Sequence, residues 1–335
     1  MSESNIPPIL GITMGDINGV GPEVLAKALA RPEPWRWCRP LVLGSAAALE
    51  DARRFAPECP TPAPVDSVEA AQWAAGSVPV LECGQHPPAI RPGVLDPAAG
   101  RCAGEWIVEA VRLAMAKRIA GMVTCPINKE CLQKAGFKYT GHTSLIADMT
   151  NSPDYRMCLF TDTMRIVHIT AHLSMLDAIR AVKRDRVARS IRIGHDALRR
   201  MGFAQPRIAV AGLNPHAGEA GVFGREEIEE IAPAVAECRA EGIACEGPFP
   251  PDTLFGKMRA GEFDMVIAMY HDQGHIPLKL IAMDEGVNVT LGIPIVRTSV
   301  DHGTAFDIAG TGQAREHSLV AAMALAARLC GEAAG

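Results

Sequence analysis

Apolar residues along this chain fall into two alternating patterns. Short runs rich in aliphatic and β-branched residues recur at Ile9–Thr13, Leu41–Leu43, Met122–Thr124, Arg165–Thr170, Arg207–Gly212, Met265–Met269 and Asn288–Leu291, and each reads as a strand. Longer stretches with helical spacing separate many of them, at about 175–201, 225–241 and 317–331. Residues 105–119 carry Trp106, Val108, Val111, Met115 and Ile119 close to the same spacing. Strands joined through helices need crossover connections, so the pattern predicts an α/β fold with a mainly parallel sheet covered on both faces. The Pro-rich stretch 56–66 and the segment 84–99 read as surface loops. In sheets of this kind ligands bind beyond the carboxyl ends of the strands.

Three of the runs lead into histidines. Arg165–Thr170 runs on to His172, Arg207–Gly212 to His216 and Met265–Met269 to His271. Imidazole suits zinc and similar divalent ions, and three protein ligands leave a coordination position for substrate. Asp272 is a further candidate ligand or base. Spacing alone does not force the three together, so separate histidines bonded to backbone carbonyls remain the alternative. His168, inside the first of these runs, reads as structural.

Anion-binding candidates are weaker. Thr13-Met-Gly15-Asp-Ile-Asn-Gly19-Val-Gly21-Pro22-Glu23 follows the first strand and opens a helix, with Pro22 suited to its first turn. It is neither a Gly-x-Gly-x-x-Gly fingerprint nor a P-loop, and a tight turn without ligand fits equally well. Gly141-His142-Thr143-Ser144 precedes Leu145–Met149, where Thr143 or Ser144 could cap a helix. Lys279, Asn288 and Arg297 lie near element boundaries, and Arg is shaped for bidentate contact with phosphate or carboxylate.

Composition narrows the class. The chain has 335 residues, 48% of them apolar, with 33 basic and 38 acidic side chains for a net charge of −5. The length suggests two domains or one large one, and the apolar content argues against disorder. A mild negative charge with no basic tract argues against a nucleic-acid partner, though a site for a small anion needs only local positive charge. Ten cysteines with no Cys-x-x-Cys pair read as buried thiols of a reducing compartment. The N-terminal residues have no leader-like apolar core, and no run is long enough to span a membrane, so a cytoplasmic protein is expected.

The segments become specific when taken together. Gly141-His-Thr143, Asn214-Pro-His-Ala-Gly-Glu219, Tyr270-His-Asp-Gln-Gly274 and Arg297-Thr-Ser-Val-Asp-His-Gly-Thr-Ala305 occur in this order and resemble the 4-hydroxythreonine-4-phosphate dehydrogenase (PdxA) family from Gly11 to about Leu329. The resemblance implies an isocitrate/isopropylmalate dehydrogenase-like fold of two α/β/α domains with a cleft between them. Approximately 1–125 plus 285–335 would form the first domain and 126–284 the second. It implies a homodimer with the active site at the interface and a role in pyridoxine (pyridoxal phosphate) biosynthesis. It also implies oxidation by NAD or NADP, with decarboxylation, of a small 4-phosphorylated 3-hydroxy acid.

By the same resemblance His172, His216 and His271 bind one divalent metal ion (Zn, Mg, Co or Mn), and His142, Thr143, Lys279, Asn288 and Arg297 contact substrate. Asp301, His302, Gly303, Thr304 and Asp307 lie in the segment similar to the cofactor loop, and Asp272 or Lys279 would be the catalytic base. Three features depart from the pyridoxine-pathway pattern: Ser144, the start Asp16-Ile17-Asn18 of the glycine loop, and His275. The last looks like the branch acting on 4-phospho-D-threonate and 4-phospho-D-erythronate. A phosphotransacetylase-like acyl transferase on a related fold is the enzymatic alternative, and a non-catalytic binder of phosphorylated metabolites the other.

Overall fold

The computed structural model describes residues 6–85, 89–282 and 286–332, so the first five residues, on which the expectation of no leader partly rests, and three residues of the 84–99 segment lie outside the described residues. The chain divides into two compact units. The first comprises residues up to Pro153 and from Ile293 onward, and the second is Asp154–Gly292. The segment 126–153 thus belongs to the first unit, whereas the expected boundary near 125 puts it in the second. The reason is local: the helix His142–Met149 lies against the helix Pro97–Met115 of the first unit.

Five strands open the first unit: β1 (Ile9–Thr13), β2 (Arg39–Leu43), β3 (Thr61–Val65), β4 (Ser77–Leu81) and β5 (Gly121–Thr124). The second unit follows with β6 (Arg156–Phe160), β7 (Arg165–His168), β8 (Ile208–Ala211), β9 (Cys245–Phe249), β10 (Met265–Ala268) and β11 (Val287–Leu291). The chain then returns to the first unit as β12 (Val296–Val300).

In the first unit the strand order is β3-β4-β2-β1-β5-β12, parallel throughout. Its central strands are buried on both faces, as covered parallel strands are, with Leu10, Ile12, Leu41 and Val42 fully inside. The Pro-rich stretch that reads as a loop contains β3. Two prolines are tolerated there because β3 is the edge strand of this order, paired with β4 among the described residues. The helix Pro97–Met115 begins where Asp96 caps it, accepting the Ala98 N–H at 2.9 Å, so it starts earlier and ends sooner than its apolar spacing suggests.

In the second unit the order is β11-β6-β7-β10-β8-β9. β7, β10, β8 and β9 are parallel, but β6 runs antiparallel to both of its neighbours, a departure from the parallel expectation. A short connection from β6 to β7 leaves no room for a crossover helix. Alternation sorts the strand residues: Ile166, Ala209, Ala211, Val266 and Ala268 face a cluster with Leu254, Phe255, Met258 and Leu278. The opposite face receives the helix Arg184–Arg200, where Gly194 lets Met265 and Ile267 approach closely. The helical stretch near 175–201 is two helices, Met175–Ala181 and Arg184–Arg200. Among the described residues no helix is long and apolar enough to cross a membrane. All ten cysteines are free thiols, nine of them buried.

Candidate active site

The topology of the second unit does what spacing could not. β7, β10 and β8 are adjacent and parallel, so the segments that follow them emerge along one sheet edge. Those segments carry His172, His271 and His216 respectively. They are also stitched together. Thr170 donates both its backbone N–H (3.3 Å) and its hydroxyl (2.9 Å) to the Met269 carbonyl. Buried Gln273 accepts the Met269 N–H at 2.7 Å and donates to the Gly212 carbonyl at 2.8 Å, joining the end of β10 to that of β8. Buried Glu227 then accepts the backbone N–H groups of Leu213 (2.8 Å) and Asn214 (2.7 Å) and the Asn214 side-chain amide (2.9 Å). A carboxylate taking three N–H bonds is a strong local organiser, and it fixes the turn that leads into His216.

Within that edge the rings of His172 and His271 lie with centroids 6.0 Å apart. His271 pairs through Nδ1 with Asp272 Oδ1 at 2.7 Å, which holds the proton on Nδ1 and leaves Nε2 to act as a ligand. His216 is exposed and faces Phe223, with ring centroids 6.3 Å apart. It begins a left-handed turn in which φ at residues 216–220 runs from 42° to 76°. Among the described residues no three His, Cys, Asp or Glu side chains are gathered closely enough to hold a metal ion. His172 and His271 present neighbouring imidazoles, a donor type suited to divalent ions, while the structure brings His216 to the same edge and not into the same cluster.

Two further histidines stand behind the pair. His275 stacks on His271 with ring centroids 3.6 Å apart and planes 11° from parallel, and its Nδ1 donates to the His271 carbonyl at 3.0 Å. His168 lies 4.7 Å from His275 and is buried, as a structural residue would be. Burial, with neighbouring His275, pulls the His168 imidazole down to about 3. Burial and His271 pull His275 to about 4. Both rings are neutral at physiological pH. Lys279 is half-buried two turns along the helix His271–Ala282 from His271, and Asn288 is half-buried in β11.

In the first unit the polar residues are deeper. Arg297 sits on β12, 3% exposed, and donates through Nη2 to Thr124 Oγ1 on β5 at 2.7 Å. Burial lowers its guanidinium to about 9, so it keeps its charge at neutral pH. His142 and Thr143 open the helix His142–Met149, whose N-cap is Gly141. The capping expected of Thr143 or Ser144 is absent in that form, because Ser144 lies inside the first turn and donates back to the Gly141 carbonyl at 3.2 Å. Burial, with Arg297 nearby, pushes the His142 imidazole well below its usual range.

The glycine loop of the first unit is built as a packed turn. Asp16 is fully buried, accepts the Asn18 N–H at 2.9 Å and is pushed up to about 6 by burial. Gly21, which starts the helix Gly21–Ala30, has no room for a Cβ because the Met14 carbonyl would lie 2.2 Å from it. The loop abuts the segment holding Asp301, His302, Gly303, Thr304 and Asp307: Val20 N–H donates to the Thr304 carbonyl at 3.0 Å, and Gly19 packs against the Thr304 side chain. Glu227, Gln273 and Thr124 were not singled out by their sequence. Each has a partner at least 13 residues away, up to 173, and no local spacing announces that.

The same chain has relatives. The sequence model of a family described as "Pyridoxal phosphate biosynthetic protein PdxA" matches residues 36–326. A protein of Cupriavidus necator named D-threonate 4-phosphate dehydrogenase is 46% identical over 97% of this chain and 98% of its own. One of Desulfosudis oleivorans named 4-hydroxythreonine-4-phosphate dehydrogenase is 44% identical, over 96% of each. The crystal structure of 4-hydroxythreonine-4-phosphate dehydrogenase from Klebsiella pneumoniae has a TM-score of 0.88 at 41% identity, covering 96% of this chain and 99% of that one.

Proposed function

The chain belongs to the PdxA family, and on that premise we propose that it oxidises a 4-phosphorylated 3-hydroxy acid at its secondary hydroxyl, with loss of carbon dioxide, using NAD (or NADP) and one divalent metal ion. The observation that carries this reading is the alignment of His172, His271 and His216 along one stitched sheet edge. With His216 at the same edge as the further ligand that membership of the family implies, His172 and His271 would hold the ion. When bound, it supplies positive charge where oxygen turns negative during oxidation and decarboxylation.

The chain's own residues supply the rest. Asp272 is engaged in orienting His271, which leaves Lys279 to take the hydroxyl proton. His142, Thr143, Lys279, Asn288 and Arg297 are the substrate contacts that membership of the family implies. The buried Arg297 provides the local charge for an anionic group that a net charge of −5 does not. Asp301, His302, Gly303, Thr304 and Asp307 contact the nicotinamide cofactor. His275 against His271, together with the relative named for D-threonate 4-phosphate, favours 4-phospho-D-threonate or 4-phospho-D-erythronate over 4-hydroxy-L-threonine 4-phosphate. Relatives named dehydrogenases favour hydride transfer over the acyl-transfer alternative.

Apolar side chains flank the histidine edge in the open. Leu173, Met175 and Leu176 follow His172, and Ile276 and Leu280 follow His271, with Leu280 84% exposed. Such a patch supports a homodimer with the active site at its interface. The reading keeps the enzyme in the cytoplasm, where ten free thiols stay reduced.

The test is NADH formation with the three phosphorylated acids, compared by kcat/KM, with and without a chelator. Highest kcat/KM on 4-phospho-D-threonate or 4-phospho-D-erythronate, lost on chelation and restored by a divalent ion, is expected. Activity indifferent to chelation would remove the metal from the reading. Preference for 4-hydroxy-L-threonine 4-phosphate would move the substrate to the pyridoxine branch.

A further inference from the structure

The segment 301–316 between β12 and the helix His317–Glu332 contains neither helix nor strand, so no ladder holds its shape. A largely buried ion pair ties its downstream end. Glu23 and Lys27, one turn apart on the helix Gly21–Ala30, meet at 2.9 Å, and their side chains are 3% and 17% exposed. The Glu23 carboxylate accepts the backbone N–H of Gly312 (3.2 Å) and of Ala314 (2.8 Å). The Lys27 ammonium donates to the carbonyls of the same two residues, at 2.8 and 2.6 Å. Acid takes both donors and base takes both acceptors, so the pair replaces the missing strand partner. Every bond it makes is satisfied, which is the condition under which a buried ion pair holds a unique geometry.

We infer that Glu23 and Lys27 are positioning residues for the nicotinamide cofactor: they fix the downstream end of the segment whose upstream end carries Asp301–Asp307. This rests on the reading of that segment as the cofactor loop. Among the described residues the middle of the segment makes short turns, Ile308 N–H to Ala305 O and Thr311 N–H and hydroxyl to Ile308 O, and its Thr304 carbonyl accepts the Val20 N–H. Freeing residues 312–314 therefore lets the upstream stretch shift relative to the glycine loop. Neither side chain needs to touch the cofactor for this to matter, because small misplacement of a binding group is costly.

The inference is tested with Lys27→Met and Glu23→Gln, each assayed for NAD binding and for steady-state kinetics with both substrates varied. The expected result is a KM and Kd for NAD raised about tenfold, with KM for the phosphorylated acid and kcat at saturating NAD nearly unchanged. A merely structural pair would lower the melting temperature and leave the ratio of the two KM values where it was; that outcome overturns the inference. Asp307→Ala separates the two levels. If it weakens NAD binding while neither clamp variant does, the positioning role fails and the cofactor loop stands. If Asp307→Ala leaves NAD binding unchanged, the loop assignment itself fails, and the inference with it. Should Lys27→Met not fold, Glu23→Gln, which keeps an acceptor for one of the two N–H groups, decides alone.

Discussion

The two units meet the same problem with different chemistry. Each must hold irregular segments beyond a parallel sheet edge, where backbone groups have no ladder partner. The first unit uses charge: Glu23 and Lys27 clamp Gly312 and Ala314, and Arg297 reaches Thr124 from the next strand. The second uses a hydroxyl, an amide and one carboxylate, Thr170, Gln273 and Glu227, passed from loop to loop. The first arrangement ties one long segment to a helix, whereas the second ties three loops to each other. A segment tied to a helix can move as a piece, while three loops tied in series fail together. The units differ in surface as well, since the exposed leucines and isoleucines cluster beside the histidines of the second.

That contrast can be broken most severely at the histidine edge. His271→Ala should lower kcat/KM on the order of a thousandfold, beyond the 10–100-fold typical of outer-sphere partners such as Asp272. Metal content measured in the purified variant should fall with it, and retained metal would exclude His271 as a ligand. Next is Glu227→Ala, which strands three partly buried N–H donors and should cost about 3 kcal/mol in urea unfolding. If the loops do fail in series, the same variant loses activity on every substrate, not selectively on NAD.

Acid and base titrations sharpen the comparison in opposite directions. Asp16 in the first unit is raised to about 6, so the folded state binds an extra proton between about pH 4 and 6. Its contribution to stability is lost as pH rises through that window. Asp16→Asn should therefore stabilise the protein by about 2 kcal/mol above pH 6 and have no such effect below about pH 4. His168 in the second unit is lowered to about 3, so the unfolded chain takes up a proton first as pH falls below about 6.5. Stability is lost on that side, and His168→Gln should flatten the fall between about pH 6.5 and 3. Urea midpoints across pH for both variants check the signs; parallel pH slopes would refute them. The smallest effect expected is that of Thr170→Val, about 1 kcal/mol, since only the hydroxyl bond to Met269 is lost and the backbone bond remains.

Much of the fold was legible along the chain. Strands announced themselves where β-branched runs are buried on both faces, as in β1, β5, β8 and β10. Those missed are informative. β3 hides behind two prolines that only an edge tolerates, and β6 is antiparallel in a sheet whose rhythm is parallel. The cysteines read as buried thiols, and nine of the ten are so.

For the site, the sequence by itself determined which residues follow strand ends, because side-chain periodicity is a short-range property that any window of a few residues displays. It marked His172, His216 and His271 as following three runs but could not order those runs in space. The tertiary structure decided that β7, β10 and β8 are neighbours, and with that, that the three share an edge. It also decided which polar groups are satisfied. Glu23 is an ordinary helix glutamate until residues 312 and 314 arrive from the far end of the chain, and Glu227 is one until β8 ends beside it. A hydrogen bond has a range of about 3 Å and no memory of separation along the chain, so partners of this kind exist only once the chain has folded.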